Sequence, residues 1–534
     1  MKRQLLLFSL GLSLLFACQQ GSDNTAEKST PEPRKGGVYR TALPWTPKDL
    51  DPAFSTDIYS VTLIQQLFDG LVQFDQNLSV VPALATSWQV SGDGLVYTFH
   101  LREGTRFHNG RKVTAEDFVY SFTRILDPNE RASVVSFFEK IRGADGYHSG
   151  NNRVVDGLKA LAPNTLEITL VEPFAPFLSV LAMKSSKVVP REEVERWGNQ
   201  FGHHPVGTGP FSLESFEPER IVLVANQDYY EGHPYLDKVV YSIYPGAQNE
   251  KIADDFLAGG LEDAPFYGII QKKMSGKTDY QLFRKPSLSL MFYGMNCATE
   301  PLADARVRKA VIHAINKSRI LKQVYEDRFV EASRILPPGM LAYLPAEAMH
   351  EYDPERAKAL LSQAGYGDHA RLPTLVMLSA SESPSALAEF QLIKEDLAAV
   401  GISFEVKYET NWPRFEKLLR QGDFMIYRYA WFADVPDPDN FLGVLCGSDS
   451  SYNFMRYKNQ RVDVLLSEAL SQVDPLKRAA LYREAEDLID QDAPLIPILY
   501  LTFESAFQPY VKGLQISALG APYIPLKKIW LDNH

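Results

Sequence analysis

Two charged residues, six positions apart on one extended run, are the pair in this sequence whose types and spacing suggest chemistry. The run is Phe424-Met425-Ile426-Tyr427-Arg428-Tyr429-Ala430-Trp431-Phe432-Ala433-Asp434, and it closes in Val435-Pro436-Asp437-Pro438-Asp439-Asn440. Its first part is rich in β-branched and aromatic residues, which favour strands. Two prolines and three acids write a turn at its end. Side chains alternate along a strand, so Arg428, Ala430 and Phe432 share one face. Asp434 joins that face if the extended run reaches the turn. The face then offers a cation, a small apolar floor and an anion. Fully extended, Arg428 to Asp434 covers roughly 20 Å at about 3.3 Å per residue; a turn and inward-leaning side chains shorten the gap. The complementary guest is a short zwitterion, a peptide. The bland alternative is a solvated surface pair, worth about 0–1 kcal/mol.

The residues around the pair favour the first reading. Trp431 to Asn440 runs Trp-x-x-Asp-x-x-Asp-Pro-Asp-Asn. This resembles a segment of the family 5 solute-binding proteins, the oligopeptide and dipeptide receptors of bacterial ABC importers. The resemblance implies that Asp434 takes the α-amino group of a peptide. It implies that Arg428, an oligopeptide-type residue not shared by the whole family, meets the peptide carboxylate. Trp431, and the backbone of Ala430 and Phe432 pairing like an added strand, complete that wall. By the same resemblance the loop around Thr56 to Ile58 is expected to line the cleft from the other side, through Ile58. The resemblance also implies that the last buried strand, Leu495 to Leu501, carries Tyr500 toward the cleft.

Other stretches must position these residues, and one of them carries the most specific likeness. It runs Pro82-Ala83-Leu84-Ala85-Thr86-Ser87-Trp88, then Asp93 to Gly104, Phe107-His108-Asn109-Gly110, and Val113 to Val119. Leu95, Tyr97, Phe99 and Leu101 alternate as a half-buried strand. Asn109-Gly110 signals a turn. Thr114 with Asp117 reads as a helix cap, and Asp127-Pro128 stops the helix. Asp353-Pro354 opens another helix, ended by Gly365. A helix from Leu387 to Ala399 lies between strand candidates Leu375 to Leu378 and Ile402 to Tyr408.

Strands alternating with helices argue α/β lobes. By resemblance the fold is α/β, a large periplasmic-binding-protein-like fold with two ligand-clamping α/β lobes plus an extra third lobe. Lobe I is expected at 36–60, 185–283 and 502–534, lobe II at 61–184, and lobe III at 284–501.

The chain of 534 residues is too long for one ordinary core. Lys+Arg of 55 against Asp+Glu of 66 gives 55 − 66 = −11, a poor match for nucleic acid. Lys2 and Arg3 precede the apolar run Leu5 to Phe16, which is too short to span a membrane as a stable helix. Leu15-Phe16-Ala17-Cys18 resembles a lipoprotein signal-peptidase box, with Phe16 bulkier than usual there. Residues 1–17 are thus expected as a signal peptide, Cys18 as the lipid-bearing mature start, and 18–35 as a flexible tether. Cys297 and Cys446 remain, as one disulfide or as two buried thiols.

No enzyme, cofactor or metal is expected. Pro205-Val206-Gly207-Thr208-Gly209-Pro210-Phe211 lacks the Gly-Lys-Ser/Thr ending of a phosphate loop. There is no Gly-x-Ser-x-Gly elbow and no His-Glu-x-x-His. The expected partners are short peptides, an ABC permease with its ATPase subunits, and a membrane reached through the lipid anchor, with the protein itself monomeric and without nucleic acid. The alternatives are the same fold holding a metal chelate, haem, an oligosaccharide or a cell-wall peptide, a lipid-anchored sensor, and a secreted peptide hydrolase.

Overall fold

The computed structural model describes residues 32–532, apart from 56, 131, 133, 247, 278, 346–349 and 368–370. Cys18 and most of the expected tether lie outside the described residues.

Three larger sheets organise the described chain. The first holds Val38–Leu43, Lys238–Ile243, Arg220–Ala225 and Phe211–Phe216, in that order. The helix Ile58–Leu67 covers it, putting Leu63, Ile64 and Leu67 into a core with Tyr39, Leu223 and Tyr241. Asp57 caps this helix, accepting from the Tyr59 and Ser60 N–H groups at 3.1 and 2.9 Å.

The second sheet is antiparallel, ordered Ala85–Val90, Val96–Leu101, Thr165–Thr169, Leu158–Ala162. The alternation read from sequence appears here, with Tyr97, Phe99 and Leu101 buried. The helix Ala115–Leu126 closes its core with Phe118, Phe122 and Ile125. Its cap forms as expected: the Asp117 carboxylate accepts from the Thr114 N–H at 2.8 Å.

The third sheet has six strands, ordered Val330–Glu331, Leu495–Tyr500, Ser289–Met295, Ile426–Phe432, Leu375–Ser379, Phe404–Tyr408. The strand Ile426–Phe432 runs antiparallel to Ser289–Met295 and parallel to Leu375–Ser379. Its Tyr427 ring crosses directly over Gly294, where a Cβ would come within 2.1 Å of the ring. Only glycine fits there.

A smaller sheet, Asp263–Pro265, Thr502–Phe507, Gln281–Pro286, connects the first and third bodies. Two chain passages leave it for the six-stranded sheet, one after Pro286 and one at Leu501. They are tied to each other, since the Ser287 N–H and hydroxyl both donate to the Leu501 carbonyl at 2.8 Å. Two short adjacent crossings are the construction of a hinge.

Candidate functional site

The site begins with an unpaired strand edge. The Ala433 N–H donates to the Leu288 carbonyl at 2.9 Å, and the register sets Trp431 against Leu290 and Tyr429 against Phe292. Backbone direction alternates along an antiparallel pair, so the N–H and C=O groups of Ala430 and Phe432 point to the opposite edge. On that edge Leu375–Ser379 pairs only with Ile426 and Tyr427. Among the described residues no strand meets the backbone of Ala430 and Phe432. Phe432 is exposed and Ala430 half-buried, and their backbone groups stand in a fixed extended geometry suited to an added strand.

Asp434 stands just beyond this edge. The strand ends at Phe432, so Asp434 leaves the shared face and turns away; its own N–H donates to Asn440 Oδ1 at 3.0 Å. Its side chain meets solvent, yet burial pushes its carboxyl above the usual range, with Lys184 opposing. Water reaches an acid at the foot of a crevice from one side while protein walls the others, and that position reconciles the two facts. Lys184 comes from the other wall. Its ammonium donates to the Ser55 carbonyl and is lowered by burial, with Asp434 and Asp57 opposing. Tyr523 is a third neighbour, pushed up to about 12 chiefly by burial, with Asp434 adding to it.

The next residue, Val435, is 3% exposed and sits in the core of the second sheet, together with Ala53 and Leu71. Asp434 is therefore held where the three bodies meet. The loop leading to Ile58 is fixed from below by a buried pair: Arg124 Nη1 and Nη2 donate to the Asp51 carboxylate at 3.0 and 2.6 Å. Ile58 is 57% exposed and Phe432 56% exposed, two apolar side chains open to water. Thr56 is outside the described residues.

The turn after Asp434 is built by its acids. Asp437 accepts from the Asp439 N–H at 3.0 Å and takes Arg478 on both oxygens, at 2.7 and 2.8 Å. Asp439 is pushed up to about 7 by burial and by Asp437, with Arg478 opposing.

Two expectations need correction. Arg428 is not a free cation on the cleft wall. Its Nε donates to Glu389 Oε1 at 3.0 Å and its Nη2 to Glu389 Oε2 at 3.2 Å. Glu389 lies on the helix Pro384–Ala399 and its side chain is 0% exposed. The hydroxyls of Tyr293 and Tyr325 donate to the same carboxylate. Burial alone would lower the guanidinium, but Glu389 outweighs it and holds it raised. Removing Arg428 from such a pair costs about 3–5 kcal/mol, because a buried charge is left alone. The face shared by Arg428 and Ala430 is thus turned to this sheet's own helix layer, and the strand offers the crevice its edge.

Tyr500 is 1% exposed, its hydroxyl shared between the Arg334 and Leu336 carbonyls at 2.8 and 3.0 Å. Every residue of Leu495–Tyr500 is buried, so no face of it reaches a guest. Trp431 serves the turn: its indole N–H donates to the Asn440 carbonyl at 2.7 Å and its ring meets Tyr452 edge-on at 5.2 Å.

Cys297 and Cys446 are free thiols, with burial pushing Cys297 up to about 11. A cavity of about 560 Å³ lies between Gln66, Asp69, Lys187 and the segment around Lys527; Tyr523 lines it, but none of the edge residues does. Among the described residues no group of three or more His, Cys, Asp or Glu is placed to hold a metal. No described helix is long and apolar enough to cross a membrane.

Bodies joined through two adjacent chain crossings, with an open strand edge and an acid that makes no ion pair among the described residues, define a binding protein that holds its solute in a cleft. Residues 79–453 match the family described as bacterial extracellular solute-binding proteins, family 5 Middle. The chain belongs to that family. The heme-binding protein A of Haemophilus influenzae is 31% identical over 535 residues, covering 95% of each chain. Among solved structures, the unliganded open form of the periplasmic murein tripeptide binding protein MppA aligns with a TM-score of 0.82 at 26% identity, over 94% of this chain and 98% of the other. The periplasmic binding protein DppA from Helicobacter pylori, in complex with peptide STSA, aligns at 0.73 with 29% identity, over 94% and 99%.

Proposed function

We propose that this chain is the receptor of an ABC importer, capturing short peptides between its first and third lobes and delivering them to a membrane permease. One observation carries the reading: the unpaired edge at Ala430 and Phe432 runs directly to the unpaired carboxylate of Asp434. The edge binds peptide backbone of any sequence, and Asp434 takes the α-ammonium by a charge-assisted bond. Ile58 and Phe432 supply apolar contact from the two walls. The hinge at Ser287 and Leu501 lets ligand shift the population toward a closed form.

In this reading lobe I comprises 36–60, 185–283 and 502–534, lobe II 61–184, and lobe III 284–501. Cys18 carries the lipid, 18–35 is the tether, and the protein works outside the cytoplasm as a monomer. ATP chemistry belongs to the permease partner, and the receptor itself cuts nothing. Native mass spectrometry of freshly purified protein tests this. The expected result is retained masses of intact peptides; a ligand that is not a peptide defeats the reading. Haem is the second reading, favoured by the name of the 31% identical relative; an absorbance band of bound haem in the same preparation would select it.

A further inference from the structure

The cavity beyond the C-terminal end of the helix Ile58–Leu67 is walled by two buried opposite charges that do not pair with each other. Asp69 follows that helix, and its carbonyl accepts from the Val188 N–H at 3.1 Å. Its neighbour Gly70 bridges to Lys187 in antiparallel fashion. A Cβ on Gly70 would come within 2.9 Å of the Ser186 carbonyl oxygen, so glycine is what lets these two passages approach. Their closeness brings Asp69 and Lys187 to one cavity wall.

Six charged residues line the cavity: Asp69, Asp75, Glu231, Lys187, Lys527 and Lys528. Most are provided for. Glu231 pairs with Lys527 at 2.9 Å. Asp75 accepts from the Asn77 and Ser79 N–H groups, both at 2.8 Å. Lys528 is exposed to water. Asp69 and Lys187 are only 5% and 4% exposed. Asp69 Oδ2 is buried and accepts no hydrogen bond among the described residues. The Lys187 ammonium has no hydrogen bond or ion pair among them either; burial pushes it down to about 8, with the charge of Asp69 opposing. Burial likewise raises the Asp69 carboxyl, with Lys527, Lys187 and the Tyr229 hydroxyl opposing. Buried charges without partners are unfavourable, and here one acceptor and one donor of opposite sign border the same space.

We propose that this cavity is a second binding site that takes a small zwitterion of the free amino-acid kind, its ammonium on Asp69 and its carboxylate on Lys187. A simple cation or anion relieves only one of the two groups, whereas a guest with both poles relieves both by charge-assisted bonds. The lining carries three acids and three lysines, so a guest of no net charge suits it better than an ion. The volume of about 560 Å³ lies within the range of about 300–1,000 Å³ usual for small-molecule pockets. Phe74, Val81 and Ile524 add apolar surface for a side chain. The inference does not depend on the peptide reading. Tyr523 borders both this cavity and the surroundings of Asp434, so the two sites must be separated by experiment.

The test uses the purified full chain and, as probe, an equimolar mixture of free amino acids at about 1 mM each. The controls are their N-acetyl derivatives and their carboxamides, each of which lacks one pole. Bound molecules are read by equilibrium dialysis and mass spectrometry for the wild type, Asp434→Asn, Lys187→Met and Asp69→Asn. One or more free amino acids should be retained by the wild type and Asp434→Asn alike, with the derivatives held at least about tenfold more weakly. Retention should fall at least about tenfold in Lys187→Met and Asp69→Asn. No retention by the wild type means that the cavity holds water only and overturns the inference. Retention that is lost in Asp434→Asn places the guest in the peptide crevice; that overturns the inference and leaves the peptide reading standing. Equal retention by all four proteins, or of parents and derivatives, overturns it as well. Either folded cavity variant suffices, and if neither folds, the comparison of parents with derivatives in Asp434→Asn decides alone.

Discussion

Asp434 and Lys184 attract one another across the crevice without forming an ion pair; the Lys184 ammonium is given to the Ser55 carbonyl on the opposite wall. The acid is thereby placed near a cation and left unsatisfied, the state in which an arriving ammonium gains most.

Asp434→Asn removes the charge and keeps the shape. Peptide affinity is expected to fall by about 2–5 kcal/mol, as when one partner of a buried charge pair is lost. Calorimetry with a peptide recovered from the native protein checks this, and an unchanged Kd would take Asp434 out of the site. The pH dependence has a definite sign. The carboxyl is raised by burial, so peptide binding weakens on acidification earlier than an ordinary aspartate would allow. The free protein does the reverse: a raised folded value means stability is full below the ordinary range and falls as pH rises through the raised one. Asp434→Asn should abolish both trends.

Phe432→Pro tests the edge. Proline removes an N–H that points away from Ser289–Met295 and leaves the ladder on the other side intact. Relative to Phe432→Ala, binding should lose about 0.5–1.5 kcal/mol, one backbone hydrogen bond, with little change in melting temperature. Equal affinities of the two variants would mean that this part of the edge is not used.

Asp51→Ala strands Arg124 in the interior beneath the loop that leads to Ile58. Denaturant unfolding should show a loss of about 3–5 kcal/mol. A loss below about 1 kcal/mol, the range of a solvated surface pair, would contradict the burial of this pair.

A second pH effect lies away from the cleft. Arg334 serves three acids, with Nε 3.1 Å from Glu486 and 3.2 Å from Asp490, and Nη2 2.5 Å from Asp487. Lys317 adds a second, more distant cation, and burial still prevails at Asp490. Asp490 is pushed up to about 8 by burial and then by Glu486, with Arg334 opposing. An ordinary aspartate titrates near 4. The contribution of this group to stability is thus full below about 4 and is lost as pH rises toward about 8. Asp490→Asn should flatten the fall in melting temperature over that interval; parallel curves for variant and wild type would show that Asp490 does not titrate there.

Much of this framework is legible in local sequence rules. The Thr114–Asp117 cap, the Asp353-Pro354 helix start and the alternation through Tyr97, Phe99 and Leu101 are written in neighbouring residues and appear where expected. The strand at Ile426–Phe432 is equally legible, but which part of it meets a guest is not. Alternation assigns side chains to two faces and says nothing about which edge lacks a neighbour. Glu389 gives no signal because it sits 39 residues from Arg428 on another element, and a glutamate on a helix carries no local sign of burial. Lys184 and Tyr523 come from still more distant segments. Tyr500 misleads for a related reason: a strand buried on both faces has no alternation from which to read a direction.

The open edge at Ala430 and Phe432 has one more consequence, for the company the protein keeps while empty. Bare strand edges invite other copies to zip onto them, which is how many β-rich proteins aggregate. Here the bare stretch is brief, and it terminates in an anion without a mate. A second copy would present the same sign at that end, and like charges side by side disfavour such pairing.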